Sequence, residues 1–552
     1  MIKKLLKRIT GACIVSAFTG SMLLLAGCNY AEKIKMLNSV PEIMSVPDEK
    51  IRQIDVIELK EADEAEVEVS APEQKEITMS IEECRALALE NNLELRADLI
   101  QPTITKEGLI QASASFEPSF TSRSTYSKNN SPSVSRIDAT KSERLNTNLS
   151  VRLPLRTGGT LSYTLNDTYS KSDSSFNYQP ESYSNDFTVS ISQPLLRDAG
   201  KNASTYSIRV AQYDSKMADI NAKMAAIRVI AAVDKAYWNL YSSRKILEVR
   251  TQKYELAKTT YEETKRFVEV GVKAKIEIIR TEKQMADSRS SIISAENTVR
   301  QRERELKRLI NKKGLGMETK TIVIPASLPA PVRYDIDRNA IVDFAIENRM
   351  EMLTLELQLA RDSLGIENYK NQLLPDLTFD YQYSVNGLSS QGRSGAYSML
   401  TDMDFSDHMF TLSATVPIGN KRAKSRLRQA VYERSKRLAT KENREAEIKK
   451  DVLNQLDSLE TSWQQILANR QNTILADEQY RAEKKQYELG IVNSTDLLRS
   501  QTDLAEAKSS EIEAITNYQI SLIDFAYATG TLLGESRIEW EPVVPEDDGS
   551  IK

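Results

Sequence analysis

The chain has few of the residues that usually carry out catalysis or bind metals. Its 552 residues include one histidine, three cysteines and 19 glycines, and aromatic residues make up 7%. The sequence contains no glycine-rich phosphate-binding motif and no nucleophile elbow. We therefore predict no catalytic residue, no metal and no cofactor, and hence no enzyme. The scarcity of glycine and aromatics also argues against a many-stranded globular β fold for the whole chain.

His408 is the one residue that suggests a metal site. It lies close in sequence to Asp402, Asp404 and Asp407, and histidine with carboxylates is a common ligand set for zinc. The same residues also suit a polar extracellular loop, and we favour that interpretation.

Charge and hydropathy exclude two further classes of protein. The formal net charge is −4 and the basic and acidic residues are interspersed, so we do not expect nucleic-acid binding. After residue 28, no segment has the 18 or so consecutive apolar residues of a membrane-spanning helix. If the mature chain crosses a membrane at all, it must do so with β-strands.

The N-terminus is typical of an exported lipoprotein. Four basic residues occur among the first eight, and Ile9–Ala26 is apolar apart from small polar residues. Leu25–Cys28 resembles the bacterial lipobox, in which the cysteine, here Cys28, becomes lipidated; the alternative is an apolar helix with a chance cysteine. By resemblance to lipoprotein sorting, Asn29 favours the outer membrane over the inner one. Cys84 is then the only other cysteine of the mature chain, so no internal disulfide is expected.

The chain contains one unit twice. A shift of 257 residues (365 − 108) places Gly108 on Gly365. A second shift of 219 (490 − 271) places Gly271 on Gly490 and holds for about ninety residues, which chance similarity between charged helices would not do. The first copy therefore has 38 extra residues (257 − 219) between the two aligned regions.

Each copy is predicted to contain a long helical hairpin. Four segments have no glycine and no proline: Lys201–Val270, Val272–Lys313, Asn420–Leu489 and Ile491–Thr529. A helix of roughly 70 residues is a rod of about 100 Å, and Gly271 and Gly490 are the expected turns. Shorter helices are predicted at about Ile81–Ser115 and Arg338–Leu374.

The long helices carry one apolar residue in every heptad. Such a narrow stripe is typical of coiled-coil contacts and leaves much of each helix facing water. The stripe consists of Val233, Leu240, Leu247, Tyr254, Tyr261 and Val268 in the first copy, and of Val452, Leu459, Ile466, Thr473, Tyr480 and Tyr487 in the second.

Segments of strict alternation lie between the short and the long helices. They are Leu145–Leu153, Leu161–Leu165, Phe187–Ile191, Leu377–Val385 and Phe410–Val416. A period of two predicts strands with one apolar and one polar face, which suits a barrel with lipid outside and water inside but also a half-buried soluble sheet. One chain has too few strands to close a water-filled barrel, so a barrel would need several copies.

With the repeat, the glycine turns and the strands in place, the chain resembles the TolC-like outer-membrane efflux family over about Ser80–Gly534. The matching stretches are Gln193–Gly200, Leu374–Leu377, Tyr487–Gly490, Ser494–Leu498, Asn517–Tyr518 and Ala528–Leu532. The resemblance implies a mainly α fold with β: a duplicated strand and helical-hairpin unit, of which three copies form one β-barrel and one α-helical tunnel.

The same resemblance implies a passive exit duct. Such a duct belongs to a tripartite efflux or type I secretion system and takes substrates from a periplasmic adaptor and an inner-membrane pump. It would be a homotrimer in the cell outer membrane, lipid-anchored, with a large periplasmic part. The alternative from another class is a lipid-anchored coiled-coil stalk or adhesin, which would need no strands between its helices.

The resemblance also indicates a periplasmic entrance at the hairpin tips. Family tips often have two acidic residues three positions apart; Asp496 matches the first and Arg499 stands at the second, where the first copy has Glu277 and Arg280. Tyr487 matches a tyrosine that helps to hold the tip closed, but Val492 replaces the nearby arginine. For all of these residues the alternative is an ordinary solvated helix face, or simple packing for the tyrosine.

Two further points concern the organisation of the chain. The family usually has two strands in each copy, whereas the first copy here has up to four. Leu145–Tyr169 therefore either adds strands, giving about 18 in a trimer instead of 12, or projects from the barrel.

The chain is expected to divide into five parts: a signal peptide at 1–28, an acidic tether at 29–79, a first repeat at 80–330, a second repeat at 331–534 and a tail at 535–552. The alternative for the tether is an extra strand or helix folded onto the waist of the trimer.

Overall fold

The computed structural model describes residues 76–132, 139–173 and 179–536. The signal segment with Cys28, residues 29–75 of the tether and the tail beyond Ser536 lie outside the described residues.

Helices and strands alternate in the order that the repeat predicts. The helices are α1 Ile81–Asn91, α2 Leu93–Asp98, α3 Ile100–Ser113, α4 Lys201–Ser204, α5 Tyr206–Glu269, α6 Ile276–Ile310, α7 Arg338–Asn348, α8 Met350–Asn371, α9 Arg393–Asp402, α10 Lys421–Glu488, α11 Ser494–Thr529 and α12 Leu532–Glu535. The strands are β1 Glu76–Met79, β2 Ser119–Asn130, β3 Lys141–Pro154, β4 Thr160–Ser172, β5 Glu181–Pro194, β6 Ile322–Pro325, β7 Asp376–Ser389 and β8 Ser406–Thr415.

The two long helical hairpins are confirmed. Helix α5 has 64 residues and α10 has 68, because no glycine or proline interrupts them. Helix α5 packs along α6, α10 packs along α11, and α11 also lies against α5, so the two hairpins form one wall. Among the described residues, no helix is apolar over a length that would cross a membrane.

Six strands form a single antiparallel sheet in the order β2-β3-β4-β5-β7-β8. Strand β3 pairs with β2 from Arg152 to Lys141, and β4 pairs with β5 from Thr160 to Lys171. Leu145–Tyr169 therefore lies inside the sheet, between β2 and β5.

The register of the sheet places apolar residues on one face across the four central strands. Paired residues share a face, and the pairs Val151–Tyr163, Tyr163–Val189 and Val189–Tyr383 run across its centre. The neighbouring residues along the four strands pair in the same way on the opposite face, and they are Ser150, Thr164, Thr188 and Ser384. We call these the apolar face and the polar face of the sheet.

His408 lies in β8, whereas Asp404 lies in the loop between α9 and β8. Its Nδ1 lies 3.0 Å from the Tyr381 hydroxyl, and its ring lies 5.0 Å from that of Tyr383. Asp407, on the opposite face of the strand, accepts a hydrogen bond of 2.6 Å from Asn386. The described residues contain no group of three His, Cys, Asp or Glu side chains that could hold a metal.

A compact core surrounds the middle of α5. Strand β1 pairs in parallel with β6, so the last four residues of the segment assigned to the tether form part of the fold instead. These residues can pair because Ile77 and Met79 pack against the core beside Tyr237, whose hydroxyl donates to the Met79 carbonyl at 3.2 Å. Nearby Cys84 is fully buried, and burial raises the pKa of its thiol to about 12.

The heptad stripe is buried along the whole second copy except at Thr473, but only along part of the first. In α5 it is buried at Val233 and Leu240, whereas Tyr254 and Tyr261 are half-buried. Towards the tip, α5 instead buries Lys253, Ala257, Thr260 and Thr264, because α11 lies against that side of the helix. This polar seam between α5 and α11 leads to the tips of the hairpins.

Candidate functional site at the hairpin tips

Both hairpins reverse through the same kind of turn. Gly271 has φ = +79° and Gly490 has φ = +75°, which an L residue adopts only with strain. In the first tip the Val272 N–H donates to the Phe267 carbonyl at 2.8 Å and the Gly271 N–H to the Val268 carbonyl at 3.0 Å; the second tip repeats both bonds. These two bonds make each tip a Schellman motif, in which a residue with positive φ ends the helix and the last carbonyls accept hydrogen bonds. The predicted turns at Gly271 and Gly490 are therefore confirmed.

Asp496 lies in the first turn of α11 and is exposed. Its backbone N–H donates to the Asn493 side chain at 3.0 Å, which caps the helix and fixes the start of α11. Arg499, with 82% of its side chain exposed, lies 4.0 Å from Asp503. Within the described chain Arg499 makes no ion pair with Asp496, one helical turn away, and the Asp496 carboxylate is open to solvent.

Glu277 occupies the position of Asp496 in the first copy but has a different environment. Its side chain is only 13% exposed, and one carboxylate oxygen accepts a hydrogen bond of 2.7 Å from Arg280. The other oxygen accepts a hydrogen bond from the Ser494 hydroxyl, which lies on the second hairpin. Glu277 therefore joins the two hairpins, whereas Asp496 does not.

Tyr487 is 1% exposed and fills the space between the two hairpins. Its hydroxyl and that of Thr264 on α5 lie 2.7 Å apart. Because the Thr264 hydroxyl donates to the Thr260 carbonyl at 2.6 Å, the tyrosine must be the donor in the first bond. The ring also packs edge to face on Phe267, with centroids 6.2 Å apart. Burial raises the pKa of Tyr487, so its hydroxyl keeps its proton.

Lys273, in the turn of the first hairpin, is a contact residue that sequence reasoning missed. Its Nζ lies 3.0 Å from the ring centroid of Tyr487 and 5.2 Å from that of Phe267. The amine is buried without a hydrogen-bond partner among the described residues, and burial lowers its pKa. A cation over an aromatic face is attracted by the ring electrons. The repeat offered a signal, because the shift of 219 places Lys273 at the position of Val492, where a basic residue was sought.

The tip thus holds four contacts between the hairpins: Thr264 with Tyr487, Phe267 with Tyr487, Lys273 with Tyr487, and Ser494 with Glu277. Above them, the Gln501 side chain donates to Thr260 at 2.9 Å across the polar seam. Thr264 and Ser494 gave no signal in the sequence, since serines and threonines are frequent on polar helices. The site can hold two helical hairpins together, and it presents a carboxylate at their ends.

Comparisons with known proteins agree with this architecture. The sequence profile of the family described as outer membrane efflux protein matches residues 160–312 and 341–531, which is more than half of the chain. The outer membrane protein TolC of Vibrio cholerae is 22% identical over 354 residues, covering 62% of this chain and 76% of TolC.

Two solved structures share the fold at low identity. The CmeC outer membrane channel of Campylobacter jejuni superposes with a TM-score of 0.60 at 16% identity, covering 82% of this chain and 86% of CmeC. The open state of the MtrE outer membrane channel of Neisseria gonorrhoeae gives 0.58 at 18% identity, covering 82% and 89%. The resemblance inferred from the sequence is therefore confirmed: the chain belongs to the outer membrane efflux protein family, whose members are transport ducts and not enzymes.

Proposed function

We propose that this chain is the outer-membrane exit duct of a tripartite efflux or type I secretion system. Three copies form one β-barrel and one helical tunnel, and substrates pass through them passively from a periplasmic adaptor and an inner-membrane pump. The observation that carries the proposal is a sheet with one apolar and one polar face that continues directly into helices of about 100 Å.

The two edges of the sheet support a closed assembly of several chains. Strands β2 and β8 are unpaired at their outer edges among the described residues, and both are almost entirely exposed, including Phe120, Phe410 and Leu412. An even number of strands gives the two edges opposite directions, so β8 of one copy can pair antiparallel with β2 of the next. Exposed apolar edges of this kind otherwise promote aggregation, and a closed ring removes them.

At the far end, three chains place six hairpin tips around the axis. Asp496 then lies three times around the opening, where its exposed carboxylate attracts cations. The contacts of Tyr487 with Thr264 and Lys273 hold the second hairpin against the first and keep the opening narrow. The polar seam of Thr260, Thr264 and Gln501 is a contact that can separate without exposing a large apolar surface.

Lipid attachment through Cys28 supplies the outer-membrane anchor in this proposal. The alternative of a lipid-anchored stalk or adhesin is weaker, because a spacer needs neither an amphipathic sheet nor carboxylates at the helix ends.

The proposal is tested with the purified full-length protein in planar lipid bilayers. A trimeric duct gives discrete conductance steps, a detergent-extracted mass of three chains, and a tubular particle in negative stain. A protein that is monomeric under mild extraction, forms a solid rod and gives no conductance in any tip variant would be a stalk, and the duct would be wrong.

A further inference from the structure

The 38 extra residues of the first copy correspond to an inserted β-hairpin. The repeat aligns β2 with β7, since Pro118 falls on Pro375 and Tyr126 on Tyr383. The second shift, of 219 residues, aligns β5 with β8. The second copy has nothing between its two strands except α9 and its loops, whereas the first copy has β3 and β4 there.

Both inserted strands continue the two faces of the sheet. On the apolar face, β3 and β4 pair Leu149 with Leu165. On the polar face, the Asn148 amide donates to Asn166 at 2.5 Å and the Asn146 amide to Thr168 at 2.7 Å. A hairpin that stood in water on both sides would have no reason to keep its apolar residues on the same face as those of β5 and β7.

The turn between β3 and β4 is fastened where the sheet meets the helices. The Thr157 carbonyl accepts a hydrogen bond of 2.9 Å from the Gly200 N–H, and the Thr157 hydroxyl donates to Gln193 at 2.8 Å. Ser204, in α4, donates to the Arg156 carbonyl. The insertion therefore shares the junction between β5 and α4 instead of hanging free.

The width of the sheet also matches that of the helical wall beside it. Helices α3, α5, α8 and α10 lie side by side below the sheet, with Arg361 of α8 pairing with Asp214 of α5 at 2.6 Å and Arg437 of α10 with Asp362 of α8 at 2.5 Å. Four helices at a spacing of about 9 Å cover about 36 Å of wall. Six strands about 4.8 Å apart and tilted by about 40° cover about 38 Å, whereas four strands would cover only about 25 Å.

Resting on the proposed trimeric duct, we infer that β3 and β4 span the membrane and that three chains close an 18-stranded barrel. Its backbone radius would be about 18 Å, against about 12 Å for a barrel of twelve strands with the same tilt. The outer-membrane passage is then as wide as the helical tunnel. The size of the cargo is limited at the hairpin tips and not at the membrane, so the duct admits solutes bulkier than a twelve-stranded exit would pass.

The experiment uses single cysteines in the assembled trimer in lipid nanodiscs and a charged maleimide that cannot enter lipid. Tyr163→Cys and Thr164→Cys place a thiol on the apolar and the polar face of β4. Tyr383→Cys and Ser384→Cys are the matched controls on β7 at the same two levels of the register. Cys84 is fully buried, and the parent protein measures its background.

On both strands we expect the maleimide to label the thiol on the polar face and not the thiol on the apolar face. If β7 alternates in this way but both β4 thiols react, or neither does, the insertion lies outside the barrel wall and the inference is wrong. If β7 itself does not alternate, the proposed duct fails, which separates the two conclusions.

Discussion

The hydrogen bond between Tyr487 and Thr264 offers a sharp test of how the tip is held closed. Tyr487→Phe removes only the hydroxyl, and the phenyl ring keeps its packing on Phe267 and its attraction for Lys273. Thr264 still donates to Thr260, so no buried donor is left without a partner. The loss should therefore be that of one buried hydrogen bond, about 1 kcal/mol in each chain.

The effect should be larger in the assembly than in one chain. If the three tips of a trimer open together, the closed state loses about 3 kcal/mol, and every 1.4 kcal/mol is a factor of about ten in the equilibrium. We expect the open probability in planar bilayers to rise about a hundredfold, with no change in the conductance of the fully open state.

The matched control is Tyr261→Phe. Tyr261 lies on α5 within one turn of Thr264, is half-buried, and makes no hydrogen bond through its hydroxyl among the described residues. The control should behave as the parent protein does. If Tyr487→Phe also matches the parent, the bond does not contribute to closure and Tyr487 is ordinary packing.

Three further outcomes are expected. Cys28→Ser should abolish metabolic lipid labelling and leave unprocessed precursor; normal labelling of that variant would discard the lipobox. Asp496→Ala should reduce cation selectivity and block by multivalent cations in single-channel recordings. Arg499→Ala should raise cation selectivity, because it removes a positive charge one helical turn from Asp496 and the ion-pair partner of Asp503; unchanged recordings for both variants would make Asp496 and Arg499 plain surface charges. Cys84 has a pKa raised to about 12, so at pH 8 about one thiol in ten thousand is ionised, and it should react with iodoacetamide only after unfolding; rapid reaction of the native trimer would contradict its burial.

The glycine positions and the two periodicities are local, which is why the sequence predicted them. Uninterrupted segments flanked by Gly271 and Gly490 were predicted to form hairpins, because the left-handed turn favours glycine and a glycine weakens the interior of a helix. The strands followed from alternation for the same reason. Together with the repeat, these local features were sufficient to identify the family from the sequence.

The tertiary structure decided everything that depends on which element lies beside which. Alternation states that β3 and β4 are strands but not that they sit between β2 and β5, since any antiparallel order satisfies a period of two. Burial of Lys253 instead of Tyr254 on α5 depends on the side against which α11 packs. Lys273 reaches Tyr487 only because two hairpins far apart in sequence end at the same level. Glu277 and Asp496 have equivalent positions in the repeat, yet a contact with Ser494 buries the first and leaves the second in solvent, a difference that no local pattern contains.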